Sequence, residues 1–287
     1  MARITLCNFI ACPYMTRMQP LTDRPALIRN RARATENFLR VRAIDDVEER
    51  LQEVNRSFTD VAIVTPRPDL WQTRWADARI VADDDILDLP QGSFDLVIHD
   101  LSLHWAQDLV GQLVQSRRAL RPDGLFLATL FGGQTLNELR SALGQAEARI
   151  TGGLSPRIAP MGEIRDLGGL LQRAEFALPV ADSDTITVTY TDAMALMRDL
   201  RAMGEGNALD ARLRRPTRRA VMDAATQLYA DHFGTPEGRV TATFEIVTLT
   251  GWCPAASQPQ PLRPGSAKTR LADALGVPEA PLDPSTD

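Results

Sequence analysis

Between Phe94 and Leu130 the chain reads F-D-L-V-I-H-D-L-S-L-H-W and then R-R-A-L-R-P-D-G-L-F-L-A-T-L. The short stretch Phe94 to Ile98, apolar but for Asp95, has the pattern of a buried strand. Over residues 106–120 the apolar positions Leu109, Val110, Leu113, Val114 and Leu120 share one helical face. Arg121-Pro122-Asp123-Gly124 is turn chemistry, and Leu125 to Leu130 is a second buried strand. This order is the carboxy-terminal half of a doubly wound α/β sheet. Ligands of such sheets lie beyond the carboxyl ends of the strands, which is where the loop from Asp100 to Trp105 stands.

The rest of the chain fits that frame. Residues 25–58 place Phe38, Val41, Ile44, Val47, Leu51 and Val54 at helical spacing and predict one or two helices. Val61 to Val64 is β-branched and precedes Pro66 and Pro68, which predicts a buried strand. Asp69 to Trp75 allows one or two helical turns, and Ala78 to Ala82 predicts a strand that runs into Asp83, Asp84 and Asp85. Helices are predicted over 135–150, 161–174, 192–203 and 217–233, and half-exposed strands over 186–190 and 240–250. Residues 1–21 read as a disordered extension, with Met15 and Met18 as candidate starts. Residues 22–253 read as one domain with a helical insertion at 191–239, and 254–287, rich in Pro, Gln and Ser, as a flexible tail.

Composition narrows the function. A formal net charge of −5 does not favour broad nucleic-acid binding. Lys268 is the only lysine, which removes P-loop and Schiff-base lysines from consideration. The three cysteines, Cys7, Cys12 and Cys253, are too few and too scattered for a disulfide framework, and a reducing, cytoplasmic setting is expected. No apolar run approaches the roughly 20 residues of a membrane-spanning helix. No histidine lies near the Asp83–Asp85 run in sequence, and no metal site is expected.

Together with S-F-D-L-V-I-H-D-L-S-L-H-W at 93–105, the phrases G-G-L-S-P-R-I-A-P at 152–160, L-L-Q-R-A-E-F-A-L-P-V-A-D at 170–182, M-R-D-L-R-A-M-G-E-G-N-A-L at 197–209 and A-T-F-E-I-V-T-L-T-G-W at 242–252 carry a family likeness. The chain resembles class I S-adenosylmethionine-dependent methyltransferases over about residues 22–253. It is most similar to the assembly-factor-five group of respiratory complex I, whose animal members are arginine hydroxylases acting on a complex I subunit. The malonyl carrier-protein methyltransferases are a second likeness. The resemblance implies a Rossmann-like, seven-stranded sheet, S-adenosylmethionine as cofactor, and an insertion that covers the substrate site. It also implies a protein partner such as a complex I subunit.

The chain departs from this pattern where the cofactor would be gripped. The residues after V-A-I-V are Thr65-Pro66-Arg67-Pro68, where the family carries a glycine-rich loop. Two prolines fix φ and remove two N–H donors. Residues 65–78 are also too few for the family's second strand, its acid and its helix, since a βαβ unit runs to roughly 30 residues or more. The first half of the fold therefore reads as truncated, and cofactor binding as weakened or lost. A catalytically silent scaffold or chaperone is the alternative.

The resemblance assigns Asp83, with Asp84, to the adenine contact, and Leu101 and Ser102 to the loop beside the sulfonium. His104 is a candidate acid or base, against packing on Trp105. Trp105, Arg157, Tyr190, Arg201, Glu205 and Asn207 are candidates for the substrate or partner surface, against ion pairs that tie the insertion to the sheet.

Overall fold

Residues 20–259, 269, 270, 273 and 276 are described in the computed structural model. Two helices open the described part of the chain. Helix α1 (Arg24–Arg31) starts where the Asp23 carboxylate accepts the Ala26 N–H at 3.0 Å and Pro25 takes a first-turn position. Helix α2 (Phe38–Glu53) buries Leu39, Arg40, Ala43, Ile44, Val47 and Leu51. The apolar stripe is therefore one step out of phase with the predicted one at its start. Phe38 is exposed, and the charged Arg40 takes a place on the buried face.

Four parallel strands follow: β1 (Val61–Val64), β2 (Arg79–Val81), β3 (Phe94–His99) and β4 (Leu120–Phe131). The short α3 (Pro68–Gln72) lies between β1 and β2 and buries Trp71. A 3-10 turn, Leu103–Trp105, follows β3 and leads to α4 (Leu109–Ala119), capped by Asp108 on the Gly111 N–H at 2.8 Å. Helices α5 (Asn137–Thr151) and α6 (Ile164–Arg173) precede β5 (Ala177–Tyr190). Helices α7 (Ala193–Ala202) and α8 (Arg219–Phe233) form the insertion before β6 (Val240–Trp252). The sheet order is β2-β1-β3-β4-β6-β5, with β6 antiparallel to both neighbours. This is the expected doubly wound α/β sheet, shortened at its β2 edge.

Three expectations need correction. The sheet has six strands among the described residues, not seven, because 65–78 holds one short helix and β2 pairs directly with β1. Arg121 to Gly124 is not a turn ahead of the strand. It belongs to β4, with Asp123 at φ 64° and a register shift against β3 between Phe94 and Leu96. Strand β5 begins at Ala177, well before Ile186, and runs along the sheet edge. There the Pro179 and Asp182 positions that argue against a central strand are tolerated.

Of the extension read over 1–21, residues 1–19 lie outside the described residues, Cys7 and Cys12 among them. Leu21 is held by its N–H on Gln107 Oε1 at 2.7 Å. The chain divides into two units, Met1–Pro254 and Ala255–Asp287, and most of the second lies outside the described residues. No described helix is long and apolar enough to cross a membrane.

Helix α7 depends on Asp192, whose carboxylate accepts the Ala195 N–H at 2.6 Å. Asp192→Ala is expected to cost about 1 kcal/mol in urea denaturation.

Candidate functional site

Strand order reverses between β1 and β3, so the crevice at their carboxyl ends is where a doubly wound sheet holds its ligand. Here that crevice is bridged. Asp100, next after β3, donates its N–H to the Val64 carbonyl at 2.9 Å. The Thr65 hydroxyl donates to Asp100 Oδ2 at 2.6 Å and accepts the Arg67 N–H at 3.0 Å. Arg40 of α2 closes the corner from above. Its Nη1 reaches Asp100 Oδ2 at 2.8 Å and the Asp100 carbonyl at 2.9 Å, and its Nη2 reaches the Leu101 carbonyl at 3.1 Å. Thr65, Asp100 and Arg40 are all buried. Leu101 sits at φ 37°, with its N–H on Thr129 Oγ1 at 3.1 Å. A non-glycine residue persists in that region only where its surroundings fix it, and here the strand and Arg40 do so.

The acidic run after β2 is also taken. Asp83 lies between Arg31 Nη1 at 2.7 Å and Arg24 Nη2 at 2.9 Å, and Arg24 Nη2 also meets the exposed Asp84 at 3.0 Å. Burial pushes the Asp83 carboxyl up, but the Arg31 charge and the Arg24 hydrogen bond outweigh it and hold the group below its usual range.

Beneath this loop, Gln112 Nε2 donates to the carbonyls of Asp84 at 2.8 Å and Asp85 at 3.1 Å. Its Oε1 is thereby the atom left to face His99 Nε2 at 3.2 Å. The His99 proton is assigned to Nε2, and Nδ1 accepts from the Ser102 hydroxyl at 3.2 Å. Burial pushes the His99 pKa down to about 4, against the Gln112 hydrogen bond and the carboxylates of Asp83 and Asp100. Ser102 is buried and turned toward this imidazole.

A cavity of about 410 Å³ opens between the sheet and the insertion. Its walls are mostly apolar, with Phe131, Leu139, Leu143, Met197, Met222 and Phe244 among them. Of the candidate surface residues, Trp105, Arg157, Arg201, Glu205 and Asn207 line it together, although they come from three distant segments. Glu205 Oε2 accepts Trp105 Nε1–H at 2.7 Å and lies 3.2 Å from His104 Nε2. Burial works against this carboxylate, but the hydrogen bond and charge from His104, then the Arg31 charge and the Trp105 hydrogen bond, hold its pKa down at about 2.

His104 itself is fully enclosed, 4.8 Å from the Phe131 ring centroid, and stands behind Glu205 rather than at the cavity wall. Arg157 makes a two-point ion pair with Glu147 at 2.7 and 3.0 Å and donates to Thr217 at 2.9 Å. Asn207 donates to the Pro156 carbonyl at 2.9 Å, which ties the insertion to the loop after α5. Tyr190 lies outside the cavity, buried, with its hydroxyl on Asp199 Oδ2 at 2.7 Å. Arg201 makes no side-chain hydrogen bond or ion pair among the described residues.

Sequence reasoning missed Arg24, Arg31 and Arg40. Their signal was present in a chain with almost no lysine, where buried acids after β2 and β3 need arginine partners.

Comparison with known proteins agrees with this fold. The methyltransferase-domain family matches residues 29–128. The arginine-hydroxylase NDUFAF5, mitochondrial, of Danio rerio is 41% identical over 68% of this chain and 60% of its own length. Its counterpart from Dictyostelium discoideum is 41% identical over 68% of this chain and 45% of its own length. The malonyl-[acyl-carrier protein] O-methyltransferase of Xylella fastidiosa is 36% identical over 62% of this chain and 58% of its own length. The chain belongs to the class I S-adenosylmethionine-dependent methyltransferase superfamily. Within it, the chain stands near the NDUFAF5 group, and it spans about half the length of the curated relatives it matches.

Proposed function

We propose that this protein is a methyltransferase-superfamily member whose hold on S-adenosylmethionine is weakened or lost. It serves chiefly by engaging a partner protein, in work related to complex I assembly as the family likeness implies. The observation that carries this reading is the Thr65–Asp100–Arg40 bridge across the β1/β3 crevice.

A sulfonium nucleoside needs that crevice open, with free backbone donors and no cation beside it. Thr65-Pro66-Arg67-Pro68 supplies few donors. The Arg40 guanidinium occupies the carbonyls of Asp100 and Leu101. The Asp83 carboxylate is already taken up by two arginines. The residues present therefore do not fit the cofactor. The insertion around 190–210 is the surface offered to a partner.

A specific observation favours the competing reading, in which a cofactor site persists. Arg31 Nε and Nη2, Asp100 Oδ1 and His104 Nδ1 are buried without partners among the described residues. Groups of this kind are paired by water or by a ligand. Calorimetric titration separates the two readings. No saturable heat is expected with S-adenosylmethionine at millimolar concentration and the protein folded. A micromolar Kd would overturn the proposal in favour of the second reading.

A further inference from the structure

We propose that the cavity between sheet and insertion binds a medium-chain carboxylate, with the head group held by Arg33 and Arg201 and the apolar tail against the walls from α5 and α8. This goes beyond the reading above and holds whether or not the crevice accepts a cofactor. Three arginines, Arg33, Arg157 and Arg201, and one carboxylate, Glu205, line the cavity. Glu147 takes up Arg157, and His104 and Trp105 take up Glu205. Arg33 and Arg201 make no salt bridge or side-chain hydrogen bond among the described residues, and both are exposed.

The fold brings the segments that carry these two arginines to one seam. The loop between α1 and α2 donates the Thr35 and Glu36 N–H groups to the Ala202 carbonyl at 2.7 and 3.0 Å. Asn30 Nδ2 donates to the Gly206 carbonyl at 3.0 Å. Gly204, at φ 80°, lies so close to this loop that a Cβ there would stand 3.1 Å from the Arg31 Cα.

Two uncompensated cations on touching segments, at the side of a mostly apolar chamber whose other charged residues are paired, fit a ligand with an anionic head and an apolar tail. Guanidinium matches carboxylate in geometry as well as charge. The same charge distribution disfavours a cationic occupant, including an arginine side chain.

Calorimetric titration below the micellar range tests this with decanoate, butyrate and decylamine. Decanoate is expected to bind at least about tenfold tighter than butyrate, because burial of methylenes drives the tail. Decylamine is expected not to bind. The exposed double variant Arg33→Ala/Arg201→Ala is expected to lose at least about tenfold in decanoate affinity. Equal binding of decylamine and decanoate, no gain from chain length, unchanged affinity in the folded variant, or no saturable decanoate binding would each overturn the proposal.

Discussion

Arg40→Ala is expected to destabilise the protein by about 3–5 kcal/mol. The side chain is buried on α2 and supplies hydrogen bonds to Asp100 Oδ2 and to the carbonyls of Asp100 and Leu101. Its removal leaves the Asp100 carboxylate, 1% exposed, without its cation in the crevice between β1 and β3. The Thr65 hydroxyl at 2.6 Å stays but cannot balance a charge. Removing both partners is a different matter, because a buried pair gives back in attraction little more than its burial costs. Arg40→Met/Asp100→Ala is therefore expected to be more stable than Arg40→Ala alone. Urea denaturation of the wild type, Arg40→Met, Asp100→Ala and the double variant measures the coupling. Additive losses would show that the guanidinium and the carboxylate do not depend on each other.

Acidification from pH 7 to about 4 is expected to cost about 3 kcal/mol through His99 alone, the equivalent of a fall in pKa from 6.5 to about 4. Above pH 6.5 the ring is neutral in folded and unfolded chains, and it contributes no pH dependence. As the pH falls through 6.5, the unfolded chain takes up a proton that the folded one, buried and committed to Gln112 and Ser102, does not. Stability then declines until about pH 4, where the folded ring also takes the proton. Carboxylates held low, such as Glu147 at about 2 beside Arg157, lose their contribution in a lower window, from about pH 4.5 down. His99→Gln removes the upper window only. Denaturation curves at pH 7 and 4.5 should therefore show a smaller drop for the variant than for the wild type. Equal drops would mean that His99 is not kept neutral by burial.

The sheet was legible because its strands carry their signal locally. Val61 to Val64 is an apolar run buried on both faces, Phe94 to Ile98 is another broken only by the half-buried Asp95, and the helices over 135–150 and 217–233 repeat apolar residues with helical period. Strand β5 was only partly legible. An edge strand needs no continuous apolar run, and its polar residues pair sideways, Asp182 with Arg50 at 2.6 Å and Asp184 with Arg42 at 2.7 Å.

The cavity wall was legible as separate phrases but not as one place. Trp105, Arg157 and Glu205 converge only when the insertion folds back over the sheet. Arg40 was missed because Phe38 and Val41 offered a competing apolar phase at the start of α2. Arg40 shares the Ile44, Val47 and Leu51 stripe, and a charged residue on such a stripe requires a buried partner. That partner, Asp100, lies 60 residues away, and nothing in the local sequence of either residue names the other.

Growth of crystals in millimolar S-adenosylmethionine places the cofactor and the arginine in direct competition for one corner of the sheet. The expected structure keeps the Arg40 guanidinium on the Asp100 and Leu101 carbonyls, with no nucleoside between Thr65 and Leu101. A fully occupied nucleoside there, with Arg40 displaced, would contradict the account.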